Sequence, residues 1–301
     1  MRRTVGPSDP EWPPLLSELG PAAPERLFVT GRLLDGLRPA VAVVGTRRPT
    51  AAGLEAAERI SSGLAEAGVL VVSGLAVGID AVAHVAALAA GGTTAAVLGC
   101  GIDVDYPRRN LELKRRIAVD GTIMSEFSDG TPPRRTQFPL RNRIIAGISA
   151  GVVVVEGGMR SGALITARLA LDSNRNVYAV PGSIRNPMAA APNELIRTSQ
   201  ALLVTGVNDV LEDLVPSLCR PGSNVGLETP RLETPRLEGP EEVVLRALDD
   251  VAVSPGLLEH ATGLSAGALA RALAELELRG LADRLRGGYC VTAAGARALD
   301  R

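Results

Sequence analysis

From Ala40 to about Pro216, short β-branched runs alternate with alanine-rich stretches whose apolar residues recur at helical spacing. The pattern predicts strands at 41–44, 69–72, 94–98, 122–124, 152–155 and 177–180. Helices are predicted between them at 54–67, 79–90, 111–119, 142–148 and 163–171. Strands that alternate with helices build βαβ units, so six or more parallel strands are expected with helices on both faces. The predicted fold is therefore α/β, an extended Rossmann-like, mostly parallel sheet over 40–215.

Residues 1–39 are proline-rich, with apolar clusters at 12–16, 27–29 and 33–34, and read as an N-terminal extension packed on the core. Residues 216–240 lose the periodicity, gain prolines and repeat Leu-Glu-Thr-Pro-Arg at 227–231 and 232–236, which reads as a flexible linker. From 241 to 301 the pattern gives helices at 243–248, 257–261 and 266–279 and then a hairpin at Gly287-Gly288. Three helices and a two-stranded wing predict a small C-terminal winged-helix domain.

Composition narrows the chemistry. Aromatic residues make up only 2 % of the 301 residues, so a nucleic-acid site must rely on charge, backbone amides and shape more than on a platform of stacked bases. The net charge is −1, so any polyanion site must be local. Between Arg108 and Arg143 there are nine Lys/Arg against four Asp/Glu, whereas 40–216 as a whole holds seventeen against sixteen. Lys114 is the one lysine in the chain, which leaves the positive charge to arginine, the side chain that forks onto phosphate. Cys100, Cys219 and Cys290 are too widely spaced for a disulfide framework or a paired metal site and fit a reducing cytoplasm. Met1-Arg2-Arg3 leads into Pro7, Pro10, Pro13 and Pro14, not into the apolar core of a signal peptide, and no segment has the length to span a bilayer.

Ligands of open parallel sheets bind beyond the carboxyl ends of the strands, where helix N-termini present free N–H groups. The loop at 44–53 offers Gly45 for close backbone approach, the Thr46 hydroxyl and Arg47 as a phosphate fork; it lacks the Gly-x-Gly-x-x-Gly dinucleotide fingerprint. At 73–80, Ser73, Gly74 and Gly78 make a candidate anion nest. The loop at 98–103 carries Gly99 and Gly101 and leads to Arg108, and the fourth region holds Phe138, Arg141, Asn142 and Arg143. The fifth, 156–166, opens a helix at Ser161 and Gly162.

Several segments are specific enough to name a family. They are Val-Gly-Thr-Arg at 44–47, Ser-Gly-Leu-Ala-Val-Gly-Ile-Asp at 73–80 with His84, and Gly-Cys-Gly-Ile-Asp then Tyr-Pro at 99–107. Ser125-Glu126, Phe-Pro-Leu-Arg-Asn-Arg-Ile-Ile-Ala-Gly at 138–147, Ser-Gly-Ala-Leu-Ile-Thr at 161–166 and Val-Pro-Gly-Ser at 180–183 follow in order. The chain resembles the DNA-processing protein A (DprA/Smf) family over roughly 40–215, and a winged helix is a frequent appendage there. The resemblance implies a non-enzymatic, cofactor-free protein that binds and protects single-stranded DNA, dimerises, and loads a RecA-type recombinase in natural transformation and homologous recombination. A single-strand-binding protein is a further partner it admits. It implies DNA contacts at Arg47, Arg108 and the 138–143 segment, and dimer contacts at Leu195, Ile196, Leu202 and Leu203. The sequence departs from the family pattern at 189–201, the segment associated with those dimer contacts.

Other classes fare worse. A nucleotide phosphoribohydrolase of the lysine-decarboxylase-like group would share such a sheet, but its Pro-Gly-Gly-x-Gly-Thr loop is replaced here by Glu-Gly-Gly-Met-Arg-Ser-Gly. The winged helix carries seven Arg against nine Asp/Glu, a weak anchor for duplex DNA. His84 and His260 lie at no metal-ligand spacing, and Asp80, Glu126 and Glu156 read as caps and loop braces before acid–base groups.

Overall fold

The computed structural model describes residues 2–32, 39–218, 239–248, 253–279, 281–285 and 288–292. The chain divides into two compact units, Met1–Val225 and Gly226–Arg301.

In the first unit the elements run β1 (Arg3–Val5), α1 (Pro14–Ser17), β2 (Leu27–Gly31), β3 (Ala40–Val44), α2 (Ala51–Glu66), β4 (Leu70–Ser73), α3 (Ile79–Ala89), β5 (Thr94–Leu98) and α4 (Leu111–Asp120). They continue with β6 (Thr122–Ser125), α5 (Gln137–Gly147), β7 (Gly151–Val154), α6 (Gly162–Asp172), β8 (Asn176–Ala179), α7 (Ala190–Arg197), β9 (Leu202–Leu203) and α8 (Val207–Leu218). The strands form one sheet in the order β1-β2-β6-β5-β4-β3-β7-β8-β9. From β6 to β9 every neighbouring pair is parallel, as predicted.

β3 reads Ala-Val-Ala-Val-Val and is buried throughout, because a strand covered on both faces needs a continuous apolar run. Its side chains alternate between two cores. Ala42 and Val44 pack with Ile144, Ile145 and Leu164 of α5 and α6, whereas Val41 and Val43 pack with Ile60, Leu64 and Ile79 of α2 and α3. The chain builds outward from β3 through β4, β5 and β6, then returns to the other side of β3 with β7, β8 and β9. The switch point between β3 and β7 is where a doubly wound sheet opens a crevice for ligand.

Three expectations shift. The N-terminal extension enters the sheet instead of only packing on it: β2 pairs antiparallel with β6, and β1 with β2. It is fastened to the far face as well, where buried Arg175 pairs with Glu18 and donates to the Leu15 carbonyl at 2.8 Å. α5 begins at Gln137, five residues before the predicted start, because Pro139 falls in the first turn, where a missing N–H removes no intrahelical bond. α8 runs to Leu218, so the first residues of the expected linker are helical. At its other end, Gly239 caps α9 and Pro240 begins it, while residues 219–238, with Cys219 among them, and the 33–34 apolar cluster lie outside the described residues.

The second unit holds α9 (Pro240–Ala247), α10 (Pro255–Thr262), α11 (Ala266–Leu278) and the antiparallel pair β10 (Ala282–Leu285) and β11 (Gly288–Val291). Val244, Leu245, Leu258, Leu269, Leu273 and Leu276 form its core, giving the winged helix the sequence predicts. Gly287 of the predicted hairpin is outside the described residues. No helix among the described residues is long and apolar enough to cross a membrane.

Candidate nucleic-acid interface

The loops after β3, β4, β5, β6 and β7 gather at one edge of the sheet around a groove of about 750 Å³. Its walls include Gly45, Thr46 and Arg47 after β3, Tyr106 after β5, Phe138 and Asn142 of α5, and Ser161 and Gly162 at the start of α6. The groove therefore lies at the switch point between β3 and β7. Gly78 takes a left-handed φ of +91°, and the Ile79 N–H donates to the Thr46 carbonyl at 3.2 Å, tying the first two loops together.

An aromatic and cationic stack forms the groove's outer lip. The Arg47 guanidinium sits 5.6 Å from the Phe138 ring centroid, and Phe138 in turn lies 5.6 Å from Tyr106 at an interplanar angle of 32°. Gly99 makes room for this arrangement, since a Cβ there would come within 2.9 Å of Phe138 Cδ1. Beneath the stack is a small cavity of about 40 Å³ lined by Arg47, Gly74, Cys100, Tyr106, Phe138 and Arg141.

Around the groove, eight exposed arginines make no ion pair among the described residues: Arg47 and Arg48 after β3, Arg108 and Arg109 after β5, Arg134 and Arg135 after β6, Arg160 after β7 and Arg185 after β8. Elsewhere, Arg3, Arg59, Arg115, Arg175 and Arg197 are each matched to a carboxylate, and Arg2 pairs with Asp129 of the loop after β6, whereas Arg26, Arg116 and Arg168 are exposed with no ion pair among the described residues. A near-neutral protein thus concentrates unpaired arginines, though not all of them, on the loops of one edge.

Several predicted contacts are committed inside the fold. Arg141 is 5 % exposed and donates to the Gly74 carbonyl at 2.7 Å and to the Val97 carbonyl, so it forms the floor of the groove and does not reach out as a phosphate fork. Burial lowers its pKa to about 10, opposed by the Asp80 carboxylate. Asp80, whose own pKa burial raises against the pull of Arg141, accepts from the N–H groups of Gly74 and Ala76 at 3.1 and 3.4 Å. The Gly74 amide is therefore not free for a ligand, and the Gly101 amide donates to Thr131 O at 3.0 Å. Ser73 is buried and donates to the Val43 carbonyl at 2.7 Å. Arg143 is paired with Glu126, and Asn142 braces the entrance of α6 by donating to Gly162 O at 3.3 Å. Ser161 caps α6 by accepting from Leu164 N at 3.3 Å, and Thr46 accepts from Arg48 N at 3.2 Å while lying 3.4 Å from the Met188 sulfur. Arg47, Arg108, Phe138, Gly45, Gly99 and Gly162 remain at the groove or its rim. Tyr106, Arg134 and Arg135 join them; the Tyr-Pro motif is the sequence signal for the first and the local excess of arginine for the other two.

Dinucleotide-binding sheets seat a phosphate at the N-terminus of the helix that follows the first strand. Here that helix is α2, and its entrance holds a protein carboxylate. Glu156 is 6 % exposed; Oε2 accepts from the Thr50 N–H at 2.9 Å, and Oε1 accepts from the Thr50 hydroxyl at 2.7 Å and from Asn186 Nδ2 at 2.9 Å. Among the candidate dimer contacts, Leu195 is 1 % exposed and belongs to the core, which removes it from any interface. Ile196 is half-buried, and Leu202 and Leu203 stand 53 % and 49 % exposed on edge strand β9. His84 is buried in α3 with Nδ1 2.7 Å from the Thr94 hydroxyl, a structural position.

A family model for DNA recombination-mediator protein A matches residues 3–215, and one for the DprA winged helix domain matches residues 228–288. The chain belongs to the DNA recombination-mediator protein A family. Among its relatives in this family, the DNA processing protein DprA of Streptococcus pneumoniae is 46 % identical over 192 residues, 64 % of this chain and 67 % of the relative. The putative DNA processing protein DprA of Mycobacterium tuberculosis is 38 % identical over 314 residues, 98 % of this chain and 78 % of the relative. The match to the Smf protein of Synechocystis covers 45 % of that relative's length.

Two solved DprA structures share the architecture. The Streptococcus pneumoniae structure is 44 % identical, with a TM-score of 0.67 over 70 % of this chain and 74 % of that one. The Helicobacter pylori protein, solved for its single-stranded DNA binding mode, is 27 % identical, with a TM-score of 0.64 over 72 % of this chain and 97 % of that one. In this member of the family, the groove, the aromatic stack and the arginine rim all fall within the stretch matched by the first family model.

Proposed function

We propose that this chain binds single-stranded DNA in the groove beside β3 and hands it to a RecA-type recombinase, as a non-enzymatic mediator of recombination and natural transformation. The observation that carries the reading is the lip formed by Arg47, Phe138 and Tyr106 among the unpaired arginines of the loops after β3, β5 and β6. A single strand offers what that lip can take: phosphates for Arg47 and Arg108 and an exposed base face for Phe138. A duplex keeps its bases stacked and is too stiff to fold into a groove set between loops. Family membership supports the same reading.

A binding role without catalysis fits the carboxylates near the groove, because Asp80, Glu126 and Glu156 are tied to Gly74, Arg143 and Thr50 in turn. We place the protein in the cytoplasm as a homodimer joined along the β9 edge, with residues 40–215 as the DNA-binding domain and 241–301 as an accessory module. Fluorescence anisotropy of labelled oligo-dT against a matched duplex, across a salt series, tests the reading. Wild type should prefer the single strand, and both Arg47→Ala and Arg108→Ala should weaken it by about tenfold each, a loss of ~1.4 kcal/mol per charge-assisted contact. Equal affinity for both DNA forms, or binding untouched by both substitutions, would redirect attention to nucleotide hydrolysis.

A further inference from the structure

After β8 the chain crosses the same sheet edge once more before α7 begins, and this loop is pinned at three points. Gly182 exchanges both its backbone groups with the Asn193 amide, at 3.1 and 2.8 Å. Asn186 donates to Glu156, and Met188 brings its sulfur to Thr46 while its carbonyl accepts from the Gly157 N–H. Thr46 directly precedes Arg47, so the loop abuts the wall of the groove.

Between the pins the loop presents apolar and cationic groups to water. Residues 181–185 are all exposed, and Ile184, at 97 %, is the most exposed large hydrophobic residue among those described. Arg185 follows it, and Arg160 stands exposed on the neighbouring loop just before the Ser161 cap; neither forms an ion pair among the described residues. A held loop that keeps an isoleucine in solvent forgoes its burial free energy, about 1.5–3 kcal/mol for a side chain of this size. Beside two free guanidiniums, the complementary ligand is one that alternates flat apolar faces with negative charges.

The geometry points to a second stretch of single-strand contact over the β7 and β8 loops, with Arg160 and Arg185 on phosphates and Ile184 against a base. The inference rests on the proposed binding of single-stranded DNA at Arg47 and extends its track. β8 is two places from β3 in the sheet, a distance of about 10 Å at ~4.8 Å per strand, so a chain leaving Arg47 reaches the β8 loop along the same edge.

The test uses two oligo-dT lengths, one just long enough to give measurable binding to wild type and one twice as long, with the full-length protein. Arg160→Ala/Arg185→Ala and Ile184→Ser should leave the short strand's affinity within twofold and remove most of the advantage of the long one. The double variant should also lower the long strand's salt slope by about 1.4, the value for two lost phosphate contacts on a single strand. Equal losses on both lengths, or none on either, would overturn the extension while leaving the Arg47 site standing. A changed sedimentation coefficient with unchanged long-strand affinity would assign the loop to self-association and overturn it too. If wild type binds neither strand, the underlying reading fails first and the extension with it.

Discussion

Arg47 and Arg141 stand on opposite sides of one groove surface and do different work. Arg47 is exposed and meets no carboxylate, so Arg47→Ala should cut DNA affinity while moving the thermal midpoint little. Arg141 is buried against carbonyls and a buried Asp80, and removing one member of such a set strands the other. Arg141→Ala should lower folding stability by about 3–5 kcal/mol, read by chemical denaturation, before any DNA is added. Sequence cannot separate these two, because both are arginines after or beside a strand end in a glycine-rich neighbourhood; burial decides, and burial is a tertiary fact. His84 makes a second prediction at this scale. Burial lowers its pKa to about 3, so the folded protein holds it neutral while the unfolded chain takes up a proton near pH 6.5. Stability should therefore be unaffected by this group above that pH and fall as pH drops below it, by roughly 2 kcal/mol at pH 5. His84→Asn should flatten that acid limb in thermal melts across pH.

At the scale of elements, the period of the pattern carried most of the information. Every strand from β3 to β8 falls at a predicted short apolar run, since a strand buried on both faces needs apolar residues throughout. β1 and β2 were less legible: their three and five residues lie on the sheet's antiparallel edge, with half-buried positions and no repeating unit to announce them. The start of α5 is hidden in the sequence because proline reads as a breaker until its place in a first turn is known. β9 is two residues long, and its exposed leucines sit on an open edge, which proteins rarely leave uncovered. Leu202→Glu/Leu203→Glu should hold the protein monomeric in analytical ultracentrifugation at concentrations where wild type dimerises. A wild type that sediments as a monomer at high concentration would remove the dimer from the proposal.

For the molecule as a whole, the two units differ in what they bring to DNA. The first holds the groove and the rim, whereas the winged helix has more acidic than basic residues. A chain ending at Val225 should retain the single-strand affinity and salt dependence of the full protein, measured by the same anisotropy titration. A large loss would give the second unit a direct share in binding. The order of motifs along the chain makes the family readable, and the strand-end loops point to a rim on one edge; which of its cations are spent inside the fold, as Arg141 and Arg143 are, follows only from tertiary packing.

The carboxylate of Glu156 at the mouth of α2 has a consequence for how such a protein works inside a cell. Nucleoside triphosphates there are abundant, and a sheet of this architecture with a vacant first-helix entrance would offer each of them a seat for its phosphates. With the chain's own anion already bonded to Thr50 and Asn186, that seat is taken, and a soluble nucleotide would meet the rim without the helix-entrance contact that anchors it in dinucleotide-binding sheets.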